Sequence, residues 1–317
     1  MHTKTVHALA ACIALALLAT VAGCSDDPTG DSRGTIVIGS KIDTEGTLMS
    51  SIVKLVLTDA GFTVVDKTQT GTTEVVRKAI LAGEIDLYPE YSGNGYWFFL
   101  DELTDDEKAS YNSGQDGYDT TARIDLEVND IVWLEPSRAN NTWALAVTEE
   151  FAQAEGLKTM SDFADYVNAG RPVKLAASDE FFTSAGNPEF EKAYGFSLGE
   201  DQKVRLAGGN TTATEKAVAD GTDGVNFGMA YGTDGALADL GLVILDDDLG
   251  AQIVYWPTPI ARKAIIDAHP EIPGLLKPVM SALGLQELQQ LNARIQVNGE
   301  AADTVARDFL TEGGFIE

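Results

Sequence analysis

Histidine and cysteine are nearly missing from this 317-residue chain, which carries three of the first and two of the second. His2, His7 and Cys12 all fall within the first 23 residues, so only His269 and Cys24 remain beyond them. A lone cysteine cannot close an intramolecular disulfide. There is no H-E-x-x-H zinc motif, no G-x-S-x-G elbow and no P-loop. Positive charge is scarce too: 22 Lys and Arg face 49 Asp and Glu, a formal net charge of −27. Such a chain has no field to hold nucleic-acid phosphates. In so acidic a chain carboxylate pairs carry no information about hydrolytic work. The runs Asp105-Asp106-Glu107 and Asp246-Asp247-Asp248 lack a calcium-loop pattern and are expected at solvated surface. The expectation is therefore no enzyme, no cofactor and no metal.

No apolar run is long enough to span a bilayer comfortably. The longest, Ala8 to Ala22, comes after a weakly basic start at Lys4 and ends in Val21-Ala22-Gly23-Cys24. That is the grammar of a secretory signal over 1–23, and the ending resembles a bacterial lipobox with Cys24 acylated after cleavage. An ordinary signal with a chance cysteine after it is the alternative. Residues 24–34 then form a flexible tether, since Ser25 to Gly34 (SDDPTGDSRG) holds no apolar side chain. The expected location is extracytoplasmic, lipid-anchored to the bacterial cell membrane, on its periplasmic side or at the cell surface.

Beyond the tether the chain alternates regularly between strand and helix signals. Thr35 to Ile38 is a β-branched run. A helix start at Asp43-Thr44-Glu45 carries Leu48, Ile52, Leu55 and Val56 at helical spacing, and Gly61 stops it. Phe62 to Val65 reads as a strand, Thr72-Thr73 as the cap of a second helix, and Ile85 to Tyr88 as a third strand. Residues 101–130 are acidic and polar and read as surface helices and loops. Ile131 to Leu134 reads as the next strand and Trp143 to Val147 as another, with a crossing between lobes as its alternative; the rhythm then restarts with strands at Val173 to Ala176, Lys203 to Leu206 and Val225 to Ala230, and residues 261–311 are helical. Strand–helix alternation of this kind predicts an α/β protein with mainly parallel sheets.

One pattern occurs twice. Gly71-Thr72-Thr73 precedes Lys78-Ala79-Ile80, Gly83 and a strand leading to Tyr91; Gly209-Asn210-Thr211-Thr212 precedes Lys216-Ala217-Val218, Gly221 and a strand leading to Tyr231. Ligands of open α/β sheets sit outside the carboxyl ends of strands. Two such units facing each other would set two tyrosines and two helix starts around one cleft. Shared capping grammar without common geometry is the plainer alternative.

These blocks also carry a resemblance. Ser40-Lys41-Ile42-Asp43-Thr44-Glu45-Gly46, Asp86-Leu87-Tyr88-Pro89-Glu90-Tyr91-Ser92-Gly93-Asn94-Gly95, Asn140-Asn141-Thr142-Trp143 and Met229-Ala230-Tyr231-Gly232-Thr233-Asp234-Gly235 resemble the osmoprotectant branch of ABC-transporter substrate-binding proteins, within it the YehZ/OsmF-like subgroup. The resemblance runs from about Thr35 to the C-terminus. It implies a two-lobed, type II periplasmic-binding-protein fold, each lobe a mainly parallel sheet flanked by helices, with two hinge crossings. Lobe 1 would comprise 35–140 and 236–317, and lobe 2 141–235. It also implies a monomer that works with an ABC permease and its ATPase subunits, and a ligand such as glycine betaine, choline or a relative. A different small solute, such as an amino acid, is the competing reading, because a fold does not fix a ligand.

The resemblance further implies an aromatic cage from Tyr91, Trp143 and Tyr231, with Tyr255 or its neighbour Trp256 completing it. A trimethylammonium group has no N–H to donate. Ring faces hold it electrostatically, each contributing roughly 0.5–2 kcal/mol. The carboxylate of a betaine would suit the helix starts at Thr72-Thr73 and Thr211-Thr212, with Asn94 as a further donor. Glu45 would either face the cation or only cap its helix.

Overall fold

A computed structural model describes residues 33–183, 186–206 and 211–317. The signal segment, Cys24 and all but the end of the expected tether lie outside the described residues. Among the described residues no helix is long and apolar enough to cross a membrane.

Among the described residues ten strands form two five-stranded sheets. In chain order they are β1 (Thr35–Lys41), β2 (Thr63–Gly71), β3 (Leu87–Tyr91), β4 (Ile131–Trp133), β5 (Trp143–Thr148), β6 (Leu175–Ser178), β7 (Lys203–Leu206), β8 (Phe227–Tyr231), β9 (Leu242–Ile244) and β10 (Pro257–Arg262). The sheet orders are β2-β1-β3-β10-β4 and β7-β6-β8-β5-β9. Laid side by side, the two orders match strand for strand, so β3 corresponds to β8 and β10 to β5. The repeated pattern in the sequence is thus a repeated topology.

Each sheet is mixed. Strands β2, β1 and β3 run parallel, as do β7, β6 and β8. Strands β10 and β5 run antiparallel to their neighbours. The reason is their origin: each begins where the chain arrives from the other sheet, at the edge where β3 and β8 end. The chain crosses between Trp133 and Trp143 and returns between Ile244 and Pro257. The return comes later than the sequence suggests: β9 pairs with β5, so residues 236–244 stay with the second sheet instead of opening lobe 1. A three-residue strand after a four-residue helix leaves too short a hydrophobic pattern to assign to either side.

The helix α1 (Thr44–Asp59) starts where expected, with the Asp43 carboxylate accepting from the Gly46 N–H at 2.7 Å. Its Leu48, Met49, Ile52, Val53 and Leu57 are fully buried in the first core, beneath Ile36 and Ile38. The second core gathers Phe163, Phe181, Phe190 and Phe227. Residues 105–129 do form helices, but they are anchored by a charge: Asp125, fully buried, takes two hydrogen bonds from Arg77, at 2.8 and 2.5 Å, and one from the Trp133 indole at 2.8 Å. Asp247 and Asp248 are not merely solvated. Asp247 accepts from Tyr194 at 2.5 Å and Asp248 from Ser161 at 2.6 Å, folding their loop.

Candidate functional site

The two crossings lie side by side. The Asn141 N–H donates to the Tyr255 carbonyl at 2.9 Å, the Tyr255 N–H to Asn140 Oδ1 at 2.9 Å, and the Thr142 hydroxyl to the Ile253 carbonyl at 2.8 Å. Gly232 packs against this seam, where a Cβ would stand 2.0 Å from the Asn140 carbonyl oxygen. In register, Trp143 sits opposite Tyr231 at one sheet's edge and Pro257, two residues after Tyr255, opposite Tyr91 at the other's. The strand ends therefore deliver four rings to the crossings.

They line one cavity of about 1050 Å³. Its walls hold Tyr91, Trp143, Tyr231, Tyr255, Glu45, Asn94 and Thr73 of the residues expected from sequence. Thr72 is not among them. It is exposed, occupies the N-cap position of helix α2 (Thr73–Leu81) and makes no side-chain cap bond. Trp256 is also absent from the walls. Its ring lies under Arg138, 4.3 Å from the guanidinium carbon, and so close to Gly114 that a Cβ there would come within 2.1 Å. Tyr255, not Trp256, faces the cavity.

The four rings are not alike. Trp143 and Tyr231 are half-buried, and the indole meets the buried Phe181 edge-on at 5.9 Å. The Trp143 N–H is buried with no hydrogen-bond partner. Burial pushes the Tyr231 phenol upward. Burial pushes Tyr255 up to about 12, and its oxygen accepts from the Trp97 indole at 2.9 Å. Trp97 lines the cavity and remains half exposed; nothing in the apolar stretch Tyr96 to Leu100 singles it out by sequence. Tyr91 is the most enclosed, at 7% exposure. Its hydroxyl donates to Glu45 at 2.9 Å, and the Lys41 ammonium stands 4.5 Å from its ring centroid. One face of this ring already has a cation.

Lys41 is the one Lys or Arg among the described residues lining the cavity. Its ammonium pairs with the fully buried Glu90 at 2.5 Å. Glu90 also accepts from Tyr88 at 2.8 Å, from the Tyr91 N–H at 2.8 Å and from the Asn94 amide at 2.7 Å. The Asn94 amide is thus engaged with Glu90, not held ready for a ligand.

Among the described residues four carboxyl groups line the cavity: Asp43, Glu45, Glu180 and Asp234. Glu45 is buried at the start of α1 and gathers donors from distant parts of the chain: Tyr91, Asn141 at 3.2 Å and Asn292 at 2.8 Å. Loss of solvent pushes it up to about 7 despite bonds from Thr233, Asn292 and Tyr91, and the charge of Asp43 adds to the rise. Glu45 is therefore more than a helix cap. Among the described residues no cluster of three His, Cys, Asp or Glu is set to hold a metal.

Two topologically matched sheets, joined by paired crossings with a cavity between their strand ends, define a two-lobed solute-binding protein. The chain belongs to the OpuAC family, described as the substrate binding domain of ABC-type glycine betaine transport systems, which matches residues 34–312. Its members are substrate-binding components of transporters, not enzymes. The chain is 47% identical over 283 residues, covering 89% of this chain and 92% of the relative, to the glycine betaine-binding protein YehZ of Escherichia coli. It is 31% identical, covering 89% of each chain, to a glycine-betaine-binding protein of Pseudomonas aeruginosa. The solved structure of apo YehZ superposes with a TM-score of 0.78 over 89% of this chain and 99% of its own.

Proposed function

We propose that this protein captures glycine betaine or a closely related quaternary-ammonium osmolyte in the cleft between its sheets and delivers it to an ABC permease driven by a separate ATPase. The observation that carries the reading is the convergence of Trp143, Tyr231 and Tyr255 on one cavity whose walls also hold four carboxyl groups. Ring faces suit a cation that offers nothing to hydrogen-bond. Tyr91, with one face already under Lys41, contributes less than its partners. The Lys41 ammonium suits the ligand's carboxylate.

A cavity of about 1050 Å³ is far larger than a betaine. Ligand held by one lobe draws the other over it, shifting the hinge equilibrium at the paired crossings toward a closed form. The protein acts as a monomer outside the cytoplasm, held to the membrane by a lipid on Cys24.

Calorimetry and thermal melting on residues 25–317 test this reading. Glycine betaine should bind and raise the melting temperature, and glycine should do neither. Equal shifts from both, or no response to any methylated ammonium compound, would overturn it.

A further inference from the structure

The second lobe holds a buried pair of acids with no cation to answer it. Asp234 lines the cavity three residues after Tyr231, and its carboxylate accepts from the Tyr231 N–H at 2.6 Å. Glu215, 1% exposed on the helix Thr211–Ala219, meets Asp234 side chain to side chain. Its Oε1 has no hydrogen-bond partner. Neither residue joins an ion pair among the described residues. Two carboxyl groups in contact cannot both ionise cheaply, so they share a proton and carry one negative charge between them.

We propose that Asp234, with Glu215 holding the shared proton, is the second lobe's fixed counter-charge for the ligand's cation, and so a residue that selects cationic solutes. This deepens the function proposed above and rests on it. A cation seated against Tyr231 and Trp143 would be the charge this pair lacks. Its arrival favours the ionised pair, so binding expels the proton and affinity climbs with pH. Burial, and then the charge of Asp234, raise the Glu215 carboxyl well above its ordinary range, which puts that climb on the alkaline side of neutral. The elements packed on the helix add little that would confuse it. Strands β5 and β6 carry no ionisable side chain, β8 carries Tyr231, and Asp223 and Asp239 are exposed. Lys216 points away and pairs with Asp220 at the surface. Asp43 of the first lobe and Glu180 of the second also line the cavity, both acidic. Glu45 titrates lower, near 7.

The test is calorimetry with choline and glycine betaine between about pH 7.5 and 9.5, in buffers of different ionisation enthalpy. The wild-type protein should bind choline several-fold more tightly at the upper pH and release protons as it does so. Asp234→Asn keeps an oxygen for the Tyr231 N–H but removes the charge, and should weaken choline roughly tenfold or more. Glu215→Gln keeps a donor toward Asp234 but has no proton to lose, and should abolish the alkaline rise. Wild-type binding without pH dependence or proton release would overturn the proposal even if a variant failed to fold, and would leave the function standing. Failure of wild type to bind either solute would overturn both.

Discussion

The two halves of the cleft share a topology and differ in how they settle a buried acid. In the first, β3 ends at Tyr91 and the adjoining Glu90 is matched by Lys41 and three further donors. In the second, β8 ends at Tyr231 and nearby Asp234 accepts from the Tyr231 N–H and meets another carboxyl, that of Glu215, with no cation beside it among the described residues. In the first half the acid at the strand end is paired with a cation, and the tyrosine is nearly covered. The second is a charge short, and its tyrosine and tryptophan remain open to the cavity. A repeated fold thus yields one strand-end acid paired with a lysine and one paired only with a second acid.

Removing Lys41 should break the first half most severely. Lys41→Met leaves Glu90 buried without its cation and should cost about 3–5 kcal/mol of stability in urea unfolding. Asp234→Asn, which removes a charge that has no partner, should cost far less in the same assay. Equal losses would erase the contrast between the halves.

Glu45 sharpens the comparison by pH. Its folded pKa, about 7, lies above the ordinary 4.5, so the folded chain holds a proton there that the unfolded chain gives up. Stability from this group is therefore highest below about 4.5 and declines as pH rises toward 7. Measured against Glu45→Gln, the parent should lose up to about 3 kcal/mol across that window. A constant difference between the two proteins would show that Glu45 ionises normally.

Ring deletions come next. Trp143→Ala should cost about 1–3 kcal/mol of betaine affinity if the indole is a desolvated wall of the site. An unchanged dissociation constant would remove Trp143 from it. The smallest effect belongs to Tyr91→Phe, which loses one hydrogen bond to Glu45, worth about 1 kcal/mol of stability. It should leave more betaine binding than Tyr231→Ala does, and the reverse ranking would make the first half the principal wall.

Much of this site is legible in the sequence because strand ends announce themselves. Tyr91, Trp143, Tyr231 and Tyr255 each stand where a β-rich run meets a turn, and repeated blocks flank two of them. The hidden part depends on contacts between distant residues. Asn292 bonds Glu45 across 247 positions. Glu215 reads as one more polar residue on an amphipathic helix, and nothing local says that Asp234 will lie against it. Lys41 belongs to a block that stands out as a whole, yet its place over Tyr91 comes from the packing of β1 beside β3. Thr72 illustrates the opposite error: a residue type suited to capping, at the cap position, whose hydroxyl makes no cap bond. The lobe boundary slips for a related reason, since β9 declares its sheet only by pairing with β5.

The central claim is that ring faces from both halves of the cleft hold a quaternary cation, and a crystal structure of the glycine betaine complex tests it most directly. The account predicts the trimethylammonium nitrogen within about 6 Å of the Trp143, Tyr231 and Tyr255 ring centroids, with the ligand's carboxylate turned toward Lys41. A ligand seated outside this cavity, or held inside it by carboxylates with no ring in reach, would contradict it.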